Sequence, residues 1–256
     1  MTERATTISH ELDAVLALTW RDLRRFSRDR GQILGALARP VLWLLFMGKG
    51  LRTAVPQAGG IDYQHFVFAG AVAMTVLFSG MFQGVTMIWD REFGFLKEVL
   101  VAPVSRATIV AGKTLAGAAV TFVQGLATVV FAPIVGIWPS PGELAALLGV
   151  IALLSLAVTG LGVAVASRMR TFEGFGVISN FVVLPLYFLS GGVFPVTGLP
   201  GWMALLVRIN PTTYAVDLMR HALGQPAVFS AGLDTGVLGA FTVAMGGLAL
   251  ALFQRE

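Results

Sequence analysis

No cysteine occurs in the 256 residues, so the chain can form no disulfide, no thiolate metal site and no cysteine nucleophile. Charge is nearly as scarce. Asp, Glu, Lys and Arg make up 12% of the chain, against about 25% in an ordinary soluble domain. Histidine is limited to His10, His65 and His221, far apart in sequence, and neither a metal-ligand spacing nor a Ser–His–Asp set can be traced through them. Alternating apolar and polar segments of about ten residues, the mark of a membrane β-barrel, are missing as well. Residues 1–30 are polar and basic and lack an apolar core ending in a small-residue cleavage site, so no cleavable signal peptide is expected.

What fills the chain instead is apolar sequence. Hydrophobic residues make up 56%, and mean hydropathy is +0.79. The apolar residues gather in blocks of roughly 20, and a helix of that length, rising about 1.5 Å per residue, crosses a hydrocarbon core about 30 Å thick. The chain reads as an all-α integral membrane protein with one membrane domain. Spans are expected at 32–54, 65–89, 107–135, 143–167, 173–193 and 233–253. With six spans both termini share a side. Placing that side in the cytoplasm leaves only Lys49, Arg52, Arg208 and Arg220 outside, as the positive-inside rule asks. The basic pI of about 10.0 then has a topological origin, and no nucleic-acid partner is expected.

Two local patterns at the inner side bear on function. Before the first span, Leu12, Val15, Leu16, Leu23 and Phe26 recur at helical spacing beside Trp20, Arg21, Arg24, Arg25 and Arg28. That suits an amphipathic helix in the inner headgroup layer, serving as an anchor, as a docking element for a partner, or as both. The stretch ATIVAGKTLAG, residues 107–117, ends like a phosphate-binding loop. Such a loop needs a first Gly to aim backbone N–H groups at the anion, and here that position is Ala107. The stretch also runs straight into an apolar span. It is read as a membrane helix whose Lys113 extends toward lipid headgroups, and nucleotide handling is expected elsewhere.

Between the second and third spans runs DREFGFLKEVLVAPVSR, residues 90–106. As a helix it sets Phe93, Leu96, Val99 and Leu100 on one face and Arg91, Glu92, Lys97 and Glu98 toward the others, until Pro103 ends the run. A short amphipathic helix held between two spans transmits a soluble partner's motion to both. An ordinary interfacial loop is the other reading of the same periodicity. Later, residues 194–232 are too interrupted by Pro and Gly for a regular span, yet carry Trp202, Met203, Leu205, Leu206 and Val207. Re-entrant or interfacial helices at the outer mouth fit such a stretch. Within it, Asp217 can meet Arg220 or His221 at helical spacing and is read as part of an exposed surface pair.

These two stretches, DREFGFLKEVLVAPVSR and LSGGVFPVTGLPGWMALLVRINPTTYAVDLMRHAL, together with six spans and an amphipathic start, resemble the type-2 ABC exporter permeases. That family includes drug-resistance and nodulation-factor or polysaccharide export permeases. The resemblance implies that Arg91, Glu92, Phe93, Gly94, Phe95, Leu96, Lys97, Glu98, Val99 and Leu100 belong to a coupling helix seated in a groove of a separate ATP-binding subunit. It implies an outer gate that includes Phe194, Pro195, Leu199, Pro200, Asn210, Pro211 and Tyr214. Two copies of the chain, or one with a sister permease, would assemble with two ATP-binding subunits in a bacterial inner membrane and act as an exporter, and the largely uncharged spans point to an amphipathic drug-like, lipid or glycolipid cargo. ATP and Mg²⁺ would sit on the partner, leaving this chain without a cofactor and without enzymatic activity of its own.

Phe78, Met81, Phe82, Phe181, Tyr187 and Phe188, in the second and fifth spans, are candidates for an apolar pathway lining. A secondary transporter or channel would place coupling carboxylates or a polar filter at mid-membrane depth, which these spans almost lack. A non-transporting scaffold would leave the coupling-like stretch and the outer Pro-rich stretch without a purpose.

Overall fold

The computed structural model describes residues 2–52, 54–92, 105–169 and 171–254. Helix α1, Thr2–Arg28, precedes α2, Arg30–Trp43, at a break where Asp29 caps α2 by accepting the Gln32 N–H at 3.0 Å. Pro40 stands inside α2, and the helix widens into a π-helical stretch at Leu44–Gly50. A two-stranded antiparallel ribbon follows, β1 at Gln57–Ala58 and β2 at Ile61–Asp62. Then come α3, Tyr63–Gln83, and α4, Val85–Glu92.

Helix α5, Arg106–Val129, opens on Ser105, whose hydroxyl accepts the Thr108 N–H, and passes into a 3₁₀ turn at Ala132–Val135. Helix α6, Pro141–Ala166, starts with proline behind a capping box in which Ser140 and Glu143 satisfy each other's backbone N–H. Among the described residues, the helices that follow are α7, Phe172–Phe188; α8, Gly201–Ile209; α9, Pro211–Ala222; and α10, Ala231–Phe253.

The protein is an all-α membrane protein. Among the described residues, five helical stretches are long and apolar enough to cross a bilayer: Arg30–Gly50, Tyr63–Glu92, Arg106–Val135, Pro141–Ala166 and Ala231–Phe253. Phe172–Phe188, where a fifth span is expected, is apolar but only 17 residues long. Burial separates the centre from the rim. In the most apolar window of Tyr63–Glu92, 83% is buried within the chain, against 17% for Ala231–Phe253 and 20% for Arg30–Gly50. Helix α3 is therefore the core, and α2 and α10 turn most of their apolar surface outward, as a lipid-facing helix does.

Small residues let the central helices touch backbone to backbone. A Cβ on Gly84 would run into the Gly162 carbonyl, and one on Gly162 would overlap Met81 backbone atoms. At the other end of α3, a Cβ on Gly192 would stand 2.8 Å from the Cα of Gly70. Close crossings of this kind replace the hydrophobic drive that lipid cannot supply. Gly162→Leu is accordingly expected to cost about 3 kcal/mol or more through overpacking. Gly246→Leu, at a site with nothing within 4 Å of the added carbon, should stay within about 0.5 kcal/mol. Unfolding in a detergent titration checks both, and equal stability of the two variants would contradict the crossing.

Candidate functional site

Helix α4 carries the chain out of the core toward the segment that follows residue 92. Phe93 to Leu100, expected to form most of the coupling helix, lie outside the described residues, and Arg91 and Glu92 end α4 itself. Connections among the described residues anchor this end. Asp90 forms an ion pair with Lys113 of α5, both residues being buried. Arg91 donates from Nη1 to the Met169 carbonyl at 2.9 Å, reaching the connection between α6 and α7. The Arg25 guanidinium of α1 lies 4.7 Å over the Trp89 ring, which in turn meets Phe172 of α7 at 5.9 Å. Because residue 92 closes α4 and residue 105 opens α5, the Asp90–Lys113 pair ties together the two helices that flank the intervening segment.

This corrects the expectation that Lys113 extends toward lipid headgroups. Helix α1 covers the start of α5 so closely that a Cβ on Gly112 would stand 2.8 Å from Leu18 Cδ1. The ammonium is thereby shut away from the surface and takes Asp90 as its counter-charge, the usual condition for burying a charge. The amphipathic stretch is indeed helical and begins earlier than its apolar spacing suggests. Phe26 is buried, while Leu16 and Trp20 remain 65% and 68% exposed, leaving apolar surface on α1 that the chain itself does not cover.

The opposite end is built by α7, α8, α9 and the turns between them. Asn210 caps α9 through the Thr212 N–H at 3.0 Å and uses its Nδ2 to reach the Leu186 carbonyl at 2.8 Å, with Pro211 as the first helical residue. Tyr214 donates to the Arg208 carbonyl at 2.6 Å, which holds α8 against α9. Phe194, Pro195 and Leu199 are half-buried and Pro200 is exposed. Arg220 is buried: it donates to the Gly191 carbonyl at 2.6 Å and lies 4.1 Å over the Phe66 ring. Desolvation lowers its pKa to about 10 against the opposing pull of Asp217, so it stays cationic at neutral pH.

Asp217 is 2% exposed and accepts the N–H groups of Val228 and Phe229. The expected exposed surface pair is thus replaced by a buried carboxylate that pins a loop. The reason is that α9 is folded under residues 224–230, a packing that helical spacing alone does not reveal.

The pathway candidates divide by exposure. Phe78 and Phe82 line a cavity of about 450 Å³ between α2, α3, α4, α5 and α7, together with Gln83, Trp89, Gln124, Phe172 and Phe175. Phe181 and Phe188 are 81% and 45% exposed on α7. Met81 and Tyr187 are buried in the chain's own core, where Tyr187 meets Trp43 edge-on at 5.7 Å.

The sequence profile of the family described as ABC-2 type transporter matches residues 13–223. The chain is 33% identical over 229 residues to Nodulation protein J of Rhizobium meliloti (strain 1021), covering 88% of this chain and 86% of that protein. It is 30% identical over 227 residues to Nodulation protein J of Rhizobium leguminosarum bv. viciae, covering 88% and 87%. The protein of the same name from Bradyrhizobium diazoefficiens is 28% identical over 241 residues, covering 93% and 90%.

Proposed function

The chain belongs to the ABC-2 type transporter family, as a membrane-spanning transporter subunit that works with an ATP-binding partner, and from that premise we propose that it is the permease of an ATP-driven exporter. Two copies, or one copy and a sister permease, assemble with two ATP-binding subunits that hold ATP and Mg²⁺. Both termini face the cytoplasm of a bacterial inner membrane, and the cargo is an amphipathic drug-like, lipid or glycolipid molecule.

The observation that carries this reading is the buried Asp90–Lys113 pair at the mouth of the coupling segment. A motor subunit that pushes residues 91–102 displaces α4 and α5 together, because opening a gap between them would strand two charges out of water. Arg91 hands the same push to the α6–α7 connection, and Trp89 hands it to α1. Motion thus reaches both walls of the cavity that Phe78 and Phe82 line. Of the pathway candidates we retain Phe78, Phe82, Phe181 and Phe188. Met81 and Tyr187 are packed inside one chain, whereas a pathway between two chains is lined by residues reachable on each.

Co-expression with the ATP-binding subunit and affinity purification in detergent test the assembly. Co-elution of one ATP-binding subunit per permease chain is expected. A stable, folded permease that never retains that subunit would contradict the proposal.

A further inference from the structure

The end of the fold that holds Asp217 contains a cluster of ionisable residues well apart in sequence from the Asp90–Lys113 pair, two of them buried. Asp217 and His221 stand one turn apart on α9, and Asp234 lies in the first turn of α10. One ligand atom from each lies within 4.8 Å of the others. His221 Nε2 is 3.6 Å from Asp234 Oδ2 and 2.9 Å from the carbonyl oxygen of Phe229. Asp217 is held in orientation by N–H donors at 2.7 to 3.0 Å from Val228 and Phe229.

Asp234 is different. Its side chain is fully buried, and neither carboxylate oxygen has a hydrogen-bond partner. A buried carboxylate without a donor is costly, and native folds seldom keep one without a purpose. Arg220, the residue before His221 on α9, is committed to the Gly191 carbonyl and the Phe66 ring. His221 Nε2 stands 3.6 Å from one of the two oxygens, Oδ2, beyond hydrogen-bond distance.

We propose that Asp217, His221 and Asp234, joined by the Phe229 carbonyl, form a binding site for one divalent transition-metal ion, with Zn²⁺ the best match to the donor set. Two carboxylates, one imidazole and one carbonyl oxygen make a mixed nitrogen and oxygen set that suits first-row ions; Ca²⁺ and Mg²⁺ take oxygen alone. Donors held at about 2.0–2.2 Å from a common ion stand roughly 3–3.6 Å from each other. The separations of 2.9 and 3.6 Å around His221 Nε2 are of that size. Binding requires the imidazole to be neutral with its proton on Nδ1, so that the Nε2 lone pair points at the ion and the bond to the Phe229 carbonyl is exchanged for shared coordination. His221, with 33% of its side chain exposed, provides the entry; the carboxylates lie behind it. An ion here would staple α9 and the loop after it to the start of α10.

The full-length protein in detergent, stripped with EDTA and freed of chelator, is titrated with Zn²⁺ by calorimetry, with bound metal counted by mass spectrometry. One Zn²⁺ per chain and a higher melting temperature are expected. Asp234→Asn and His221→Gln should each weaken binding by about 100-fold or more, since even groups outside the coordination shell are worth about 10- to 100-fold. Metal-free Asp234→Asn should melt no lower than the metal-free wild type, because it removes a buried uncompensated charge. His221→Gln, on the accessible side, decides the matter if the other variant fails to fold. Binding of Zn²⁺ by both variants as tightly as by the wild type, absence of binding by the wild type, or displacement of Zn²⁺ by equimolar Mg²⁺ would each overturn the assignment.

Discussion

Lys113→Met alone is expected to lower the unfolding free energy by about 3–5 kcal/mol, because it leaves Asp90 buried with no counter-charge. Asp90→Leu should do the same from the other side by stranding Lys113. The double variant Asp90→Leu with Lys113→Met should recover most of that loss, since two apolar side chains carry no desolvation penalty. The three variants together form a double-mutant cycle in a detergent unfolding titration. A pair worth under about 0.5 kcal/mol by that cycle would place Lys113 at a solvated surface, the position that its local sequence suggests. The recovered double variant also separates structure from nucleotide chemistry. ATP hydrolysis by the assembled complex should survive in it, because the GKT run lacks the glycine that a phosphate cradle needs at position 107.

Glu92→Arg is expected to leave insertion and folding unchanged and to cut ATP-driven transport by about tenfold or more, equivalent to about 1.4 kcal/mol lost from coupling. Glu92 is exposed at the end of α4, so its reversal breaks nothing inside the chain. Its effect falls on whatever surface the segment meets, where juxtaposed like charges are costly. Phe93→Ala should act in the same direction by removing an apolar anchor from that contact. Both are read by co-elution of the ATP-binding subunit and by transport into inverted vesicles, with the thermal midpoint as a control for folding. Full transport by a correctly folded Glu92→Arg protein would remove the coupling role from this segment.

The membrane class of the fold is legible in the sequence because it depends on composition summed over long windows, where single residues matter little. The apolar blocks from residues 65 and 107 onward lie within the helical stretches Tyr63–Glu92 and Arg106–Val135. Pairings that cross between helices are not legible in that way. Asp90 reads locally as the first residue of an amphipathic run and Lys113 as a snorkelling lysine, and only the packing of α1 over α5 reveals that they meet. Asp217 follows the same pattern, since its partners are backbone N–H groups eleven and twelve residues on. Asp234 stands in the first turn of α10, where an acidic residue is favourable with the helix dipole, and its isolation appears only when burial is known. The usable signal in every case is an ionisable residue at the edge of an apolar block, where the cost of burial demands a partner.

The central claim is that this chain is a permease moved by a separate motor, and the most direct test is ATP hydrolysis measured on the purified chain alone and on its complex with the co-expressed ATP-binding subunit. Hydrolysis confined to the complex, with both chains co-eluting and hydrolysis surviving in the double variant at Asp90 and Lys113, is the expected outcome. Robust hydrolysis by the isolated chain, once contaminating ATPases are excluded, would contradict it and return the phosphate-binding role to residues 107–117.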